Sequence, residues 1–444
     1  MDATQSTSAQ TQIVDPRLDL NDSLQTLKHV ESTQFRKLTP QTGSRTKGAG
    51  YKQNEKISWR IKDASALLDK SRMYIRGKFR NLSNKVSNVH TAILTEGVAP
   101  VFHRCRYRVS NTILEESAET GRWSSHLHAS TGNQDWYDTE AFALYKPYRY
   151  SHYKRWDKDS ADDIVSINEH EEYHTSTEVI DFVLPLDFFG MNRDHKLFPI
   201  FNEVELECQL ASNELCMTGT NPTYELYDIE LVVPLVYPKH EFLSSIHKAI
   251  FHSEQGLQMV IPGCTDVYSK DVVSGVNSFQ VNLPTSYSDI QSIACMFFKK
   301  TPTAGADDIT LCPLPDIDEF SVKIQGTYIK SSEAWKGLAE LYNNLRATYE
   351  HKGNVAQASL LNWERFKQHT VLALNMNTLP HIAPNVIGGG INTRATSSTM
   401  DLNFKLGVDG SNTPETFGSD LVLYIFVTHK RLLRWQKGAF SVGV

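Results

Sequence analysis

The residues best suited to catalysis form a His-Glu-Glu-Tyr-His stretch at positions 170–174. On a helix, this spacing places His170 and His174 on one face, where they bind zinc while Glu171 acts as a general base. Both flanking segments are rich in β-branched residues, which favour a strand or a loop over a helix, and no third ligand follows on an adjacent helical pattern. The stretch is therefore interpreted as the acidic edge of a loop, with a zinc metallohydrolase as the alternative hypothesis.

Other patterns associated with catalysis or cofactor binding are incomplete. The glycines at 388–390 are not followed by the Lys-Ser/Thr pair of a phosphate-binding loop, so they predict a flexible turn. His126, His128, His152 and His195 lie in polar segments without the spacing of metal ligands. No Gly-x-Ser-x-Gly nucleophile motif occurs. The sequence thus predicts no enzyme, no catalytic or metal-binding residues and no cofactor.

Aromatic and basic side chains alternate within a long polar excursion at 115–163. The excursion is predicted to form loops and short helices that contact a neighbouring molecule or lie exposed at one end, with an aromatic mini-core under a loop as the alternative. Its basic and aromatic cluster suits stacking on single-stranded nucleic acid or, as we favour, a protein–protein contact. The candidate interaction residues in this cluster are Tyr148, Arg149, Tyr150, Tyr153 and Trp156.

A second set of candidate interaction residues lies near the beginning of the sequence. Residues 1–50 are rich in Ser, Thr and Gln and almost lack aromatics, so they are predicted to form an arm with little surface to bury. From residue 36 to 60 the balance becomes basic, which is typical of a solvated linker, of an arm on a partner subunit or of contact with packaged nucleic acid. The candidates are Arg36, Lys37, Arg45, Lys47, Lys52 and Lys56.

Composition limits the classes of protein to which the chain can belong. Its 444 residues exceed the size at which one core keeps growing, so two domains are expected. A net charge of −6 is not that of a general nucleic-acid binder, and the apolar runs are too short for membrane insertion. No secretory signal is recognisable at the start of the sequence. The six cysteines have no CxxC spacing, which predicts reduced, mostly buried thiols and disfavours a Cys208–Cys216 disulfide.

The stretch from 179 to 237 predicts a β-domain. Val204, Leu206, Cys208 and Leu210 alternate with acidic residues and a glutamine, as the two faces of a half-buried strand require. Similar patterns recur along the chain at 57–61, 73–79, 101–109, 257–261, 278–283, 290–298, 320–329, 366–375, 399–406 and 420–427. One clear helix is predicted at 335–349, with a cap at Ser331 or Ser332.

The two halves of the chain share one layout. A strand, a Gly/Asn/Pro-containing loop and a second strand occupy 203–233 and recur at 400–427, with offsets of 197 and 196 residues between first and second strands. The fold class is therefore all-β, with two tandem eight-stranded jelly-roll sandwiches, long loops and a few short helices. The predicted domains are an arm at 1–50, a first jelly roll at 51–240, a connector at 241–253 and a second jelly roll with a C-terminal tail at 254–444.

Three parts of the chain together resemble the double jelly-roll major capsid proteins of tailless double-stranded DNA viruses. They are an early strand ending in an Asn turn (98–111), a strand pair near the end of the first half (188–210), and a strand, helix and strand in the second half (321–326, 335–349 and 366–375). The resemblance spans about 55–437. The length is closer to Polinton/Maverick or adintovirus-like capsid proteins than to adenovirus hexon.

This resemblance implies a structural protein of the virion, assembled inside the host cell. Three subunits would form a pseudo-hexagonal capsomer, and capsomers would form an icosahedral shell around double-stranded DNA. The implied partners are other copies of the chain, a vertex penton protein and minor capsid proteins, with non-specific contact to packaged DNA. A β-sandwich module for glycan or receptor binding, with the 115–163 aromatics as its platform, is the alternative.

Overall fold

The structure is a computed structural model of the 444-residue chain. The residues it describes are 28–42, 50–86, 89–94, 97–131, 179–193, 196–272, 274–283, 287–300, 317–349, 363, 366, 371–377, 389–394, 399–407 and 421–443. Among them, no helix combines the length and apolar character needed to cross a bilayer.

The first half of the chain forms a β-sandwich. Its strands are β1 (Val30–Leu38), β2 (Lys56–Ile61), β3 (Leu67–Asp69), β4 (Tyr74–Asn81), β5 (Lys85–Val86), β6 (Val89–His90), β7 (Ala92–Leu94), β8 (Phe102–Val109), β9 (Thr112–Ser117), β10 (Val179–Pro185), β11 (Leu197–Pro199), β12 (Val204–Leu210), β13 (Met217–Gly219) and β14 (Tyr224–Pro238). Within the described ranges, its helices are two single 3₁₀ turns (Lys70–Arg72 and Ala99–Val101), α1 (Thr120–Thr131), α2 (Gly190–Arg193) and α3 (Asn213–Cys216).

The second half forms another sandwich after the connecting helix α4 (His240–Phe251). Its elements are β15 (Leu257–Val272), β16 (Ser278–Leu283), β17 (Ile290–Lys299), β18 (Ile317–Ile324), β19 (Thr327–Tyr328), β20 (Trp335–Lys336), α5 (Gly337–Tyr349), β21 (Val371–Asn375), β22 (Met400–Leu406), β23 (Leu421–Gln436) and β24 (Ala439–Gly443).

The two sandwiches have the same strand order. The two sheets of the first contain the strand orders β1-β14-β4-β10 and β2-β12-β8-β9, and those of the second contain β15-β23-β17-β21 and β16-β22-β18-β19. The short strands β3 and β11 extend the first of these four sheets, β24 joins the third and β20 joins the fourth. When the eight principal strands of each sandwich are counted along the chain, both have the order 1-8-3-6 and 2-7-4-5. Two four-stranded sheets in this order form a jelly roll. The prediction of two tandem eight-stranded jelly rolls is confirmed.

Strand β12 shows how the sequence produces these sheets. Val204, Leu206 and Cys208 are fully buried, while the intervening glutamates point outwards. Glu205 and Glu207 lie directly opposite Arg108 and Arg106 of β8. Opposite charges across an antiparallel pair stabilise the outer face by about 0.2–1 kcal/mol per pair, and the alternating apolar residues fix the register.

The repeat seen in the sequence corresponds to the seventh and eighth strands of each jelly roll. Strands β12 and β22 are the seventh strands, and β14 and β23 are the eighth. The loop between the seventh and eighth strands differs in sequence, but the two strands have the same places in both jelly rolls. The shared layout of 203–233 and 400–427 is therefore a consequence of shared topology.

Three predictions need correction. Strand β1 lies inside the predicted arm 1–50, because hydrogen bonding to β14 places these polar residues in the sheet. The described part of the 115–163 excursion is a strand and a helix (β9 and α1), and this helix is buried within the chain rather than exposed at one end. Helix α5 begins at Gly337 and not at 335, because Trp335 pairs with β18 as a strand.

Candidate functional site

The predicted interaction residues that the structure describes do not form one patch. Arg36 lies on β1 and forms an ion pair with Asp63 at 3.0 Å, and Lys56 lies on β2, 3.8 Å from Glu207. Lys37 and Lys52 are exposed. The remaining candidates, Arg45, Lys47, Tyr148, Arg149, Tyr150, Tyr153 and Trp156, lie outside the described residues.

The structure describes only some of the residues considered as metal ligands. The 170–174 stretch, His152 and His195 lie outside the described residues. Across the described ranges, no group of three His, Cys, Asp or Glu side chains could hold a metal ion. The five described cysteines, Cys105, Cys208, Cys216, Cys264 and Cys295, are buried thiols that form no disulfide with one another.

The most elaborate polar arrangement lies where the first jelly roll meets the second. We call this region the joint, and define it by the contacts of β9, α1 and α2 with β15 and β23. Its closest approach brings the backbone of Gly190 on α2 against Gly263, which occupies a bulge in β15 at a φ of +75°. A Cβ on Gly190 would lie 2.1 Å from the carbonyl carbon of Gly263, so only glycine permits this contact.

Glu115 of β9 is the central polar group of the joint. Its buried carboxylate accepts hydrogen bonds from the backbone N–H groups of Gly190 at 2.8 Å, Met191 at 2.9 Å and Thr265 at 3.3 Å. The first two belong to α2 and the third to β15, so one side chain connects both jelly rolls. Burial raises the pKa of Glu115, although the backbone hydrogen bonds from Met191 and Gly190 oppose this rise.

A second polar cluster lies on the β15 and β23 side of the joint. Asp266 accepts hydrogen bonds from Tyr287 at 2.6 Å and Arg431 at 2.8 Å, and lies 3.1 Å from the imidazole Nε2 of His429. Arg431 also donates to the backbone carbonyl of Leu114 in the first jelly roll. Burial alone would raise the pKa of Asp266, but the hydrogen bond of His429 and the charge of Arg431 hold it well below its ordinary value.

Helix α1 supplies the apolar part of the joint. Trp123 is buried, stacks on Phe426 of β23 with ring centroids 4.9 Å apart, and donates a hydrogen bond to the carbonyl of Phe188 at 3.2 Å. His126 lies 2.9 Å from the hydroxyl of Tyr349 on α5. Burial lowers the pKa of His126 to about 3, so its imidazole is neutral at physiological pH. These two residues cannot serve as an exposed platform for a glycan.

Two buried lysines complete the joint. Lys196 donates to the carbonyl of Val260 on β15 at 2.8 Å. Lys70 is fully buried on the 3₁₀ turn before β4. Burial, together with the charge of Lys196, lowers the pKa of Lys70 well below its ordinary value.

Structural comparison identifies proteins with a similar overall fold. The Faustovirus major capsid protein aligns over 91% of this chain and 90% of its own, with a TM-score of 0.58 and 9% identity. The PBCV-1 virus capsid model aligns over 93% and 96%, with a TM-score of 0.55 and 11% identity. The Sputnik virophage structure aligns over 94% and 89%, with a TM-score of 0.55 and 10% identity. The chain has the double jelly-roll fold. By sequence, no protein family and no curated protein matches it.

The joint is therefore the place where the two jelly rolls of this fold are fused. Its charged groups form hydrogen bonds with backbone groups and with each other. Such a satisfied network suits a rigid structural contact rather than an active site. Sequence reasoning singled out the Phe-Phe-Gly turn at 188–190 but not Glu115. The partners of Glu115 are backbone amides 75 and 150 residues away, and such partners leave no pattern in the sequence.

Proposed function

We propose that this protein is a viral major capsid protein, a structural subunit of the virion without a catalytic role. The observation that carries the proposal is that two jelly rolls of identical strand order are locked by a buried polar joint. A rigid pair of similar units can assemble head to tail, and three copies then place six jelly rolls in a pseudo-hexagonal ring. Capsid components with the same fold in PBCV-1, Faustovirus and the Sputnik virophage support this assignment.

The proposal extends to the partners of the chain. Copies of the chain form homotrimeric capsomers, and capsomers contact one another, a vertex penton protein and minor capsid proteins in an icosahedral shell around double-stranded DNA. Of the predicted basic residues, Lys37 and Lys52 are exposed and suited to non-specific phosphate contact. Arg36 and Lys56 are already near carboxylates, so their contribution to such contact is smaller.

The test is the mass and shape of the purified full chain. Light scattering coupled to size exclusion should give three times the chain mass of 50.2 kDa, and negative-stain images should show particles of hexagonal outline. The interface of such a trimer should bury well over about 1,000 Å² per contact. A chain that stays monomeric at every concentration and salt condition tested would refute the proposal.

A further inference from the structure

Strands β1 and β15 occupy equivalent places in the two jelly rolls. Each is the first strand and pairs with the eighth strand of its own jelly roll. Strand β1 begins opposite Pro238 and β15 begins opposite Trp435, which is 197 residues later. The far end of β1 lies opposite Leu231, and residue 265 of β15 lies opposite Thr428, again 197 residues later. Residues 30–38 and 257–265 are therefore structural counterparts.

These counterparts differ in what covers them. In β15, the consecutive residues Met259, Val260 and Ile261 are all buried. Because successive side chains of a strand point to opposite faces of the sheet, both faces of β15 must be covered here. One face packs inside the second jelly roll, and the first jelly roll covers the other through the joint. In β1, all seven residues from 31 to 37 are exposed, so both faces are open. Phe35 alone exposes 56% of its surface.

We propose that β1 is the docking surface for the second jelly roll of another copy of this chain. In this contact, the second jelly roll would cover β1 as the first jelly roll covers β15 within a chain. The inference rests on the proposed function and names the surface through which copies associate. The contact joins a first jelly roll to a second jelly roll, as the joint does within one chain. In a closed ring of chains, joints and contacts between chains therefore alternate.

The composition of β1 suits a surface that is exposed first and covered later. Its sequence, VESTQFRKL, is polar, whereas its counterpart in β15, LQMVIPGCT, is apolar and is covered as soon as the chain folds. Phe35 lies with its ring 5.5 Å from the guanidinium carbon of Arg72. Aromatic residues and arginine are the types enriched in the energetic centres of protein interfaces.

The same equivalence indicates which part of the second jelly roll makes the contact. Helix α1 follows the fifth strand of the first jelly roll and packs in the joint, and α5 follows the fifth strand of the second. Leu341 and Leu345 of α5 are buried, while Glu340, Asn343 and Ala347 are exposed. Glu340 is also opposite in charge to the exposed Lys37 on β1. We therefore assign the exposed side of α5 to the surface that meets β1.

The first experiment compares Phe35→Asp with Val86→Asp in the full chain by mass photometry over a dilution series. Val86 is 66% exposed on β5, away from β1, and serves as the matched control. Phe35→Asp should raise the half-assembly concentration at least about 30-fold, the effect of one interface hot spot, and Val86→Asp should not. The melting temperature of the dissociated chain should be the same for both variants.

Three outcomes would overturn the inference. If the wild type assembles and Phe35→Asp assembles equally well, β1 is not the interface, although the proposed function stands. If Phe35→Asp mainly destabilises the dissociated chain, β1 is covered within its own chain. If the wild type never assembles, the proposed function fails as well.

The second experiment identifies the occupant. Chains carrying Thr33→Cys are mixed with chains carrying Asn343→Cys and treated with a short bismaleimide. Both positions are exposed, and the expected product is a cross-link between the two kinds of chain. A mixture of Val86→Cys and Asn343→Cys chains should give none. Cross-linking of Thr33→Cys chains only to each other would indicate a symmetric contact and contradict the assignment.

Discussion

Replacing Gly190 with alanine should destabilise the joint more than any ordinary Gly→Ala change. The new Cβ would lie 2.1 Å from the carbonyl carbon and oxygen of Gly263 and 2.4 Å from the backbone nitrogen of Cys264. Reaching an ordinary contact distance of 3.4 Å requires the two backbones to separate by about 1.3 Å. The obstructing atoms are backbone, so no side chain can rotate away.

The cost has two parts. Overpacking of a tight site typically costs about 1–3 kcal/mol. The same displacement lengthens the hydrogen bond from Thr265 to Glu115, now 3.3 Å, which crosses the joint, and a hydrogen bond to a charged group is worth about 1.5–3 kcal/mol. Reduced freedom of the unfolded chain returns about 0.4–1 kcal/mol. We therefore expect a net loss of about 2–6 kcal/mol in the free energy of unfolding.

The measurement is urea-induced unfolding followed by far-UV circular dichroism and tryptophan fluorescence. Gly407→Ala is the matched control, because its nearest neighbour would be 3.6 Å from the new Cβ and no backbone must move. Tryptophan fluorescence should report an earlier transition in Gly190→Ala, since Trp123 lies in the joint. Equal midpoints for Gly190→Ala and the control would refute the reasoning.

Three further predictions concern the joint and the surface. Trp123→Ala should lower the free energy of unfolding by about 3–5 kcal/mol in the same denaturation assay, because a fully buried aromatic ring leaves a cavity; a loss below about 1 kcal/mol would contradict its buried position. Asp266→Asn should cost about 3 kcal/mol at pH 7, because the largely buried guanidinium of Arg431 loses its carboxylate partner. The lowered pKa of Asp266 means that its stabilisation is present above the unfolded value of 3.8 and is lost as pH falls below it, so wild type and variant should converge in acid. Arg36→Ala should change stability by no more than about 1 kcal/mol, because its ion pair with Asp63 is exposed, and a larger loss in thermal melts would show that this pair is not a simple surface contact.

The sequence predicts the strands wherever one face is apolar. Strands such as β12 and β16 have the predicted bounds because alternation of apolar and polar residues is imposed by the sheet itself. Strand β1 was missed because neither of its faces is apolar in the single chain. Its hydrogen bonds to β14 determine its conformation, and no local pattern records that pairing.

The sequence predicts short helices within the 115–163 excursion, but neither the bounds nor the burial of α1. Its sequence, TGRWSSHLHAST, contains few strong helix formers, and its serines and histidines would suggest an exposed loop. In the folded chain, Ser124 and Ser125 are buried with His126 and His128 at the joint. Tertiary packing thus determines both the helix and the burial of its polar side chains.

The polar groups of the joint help to determine a single relative orientation of the two jelly rolls. An apolar contact between jelly rolls of identical strand order would tolerate several registers, because dispersion and burial are not directional. The carboxylate of Glu115 is directional, since displacement in any direction leaves a buried charge or a buried amide without its partner, at about 1–3 kcal/mol for each group. Gly190 contributes as well, because its lack of a side chain lets its backbone approach Gly263 more closely than a Cβ would allow. In the proposed assembly, an error in the angle between the two jelly rolls would be repeated in every copy.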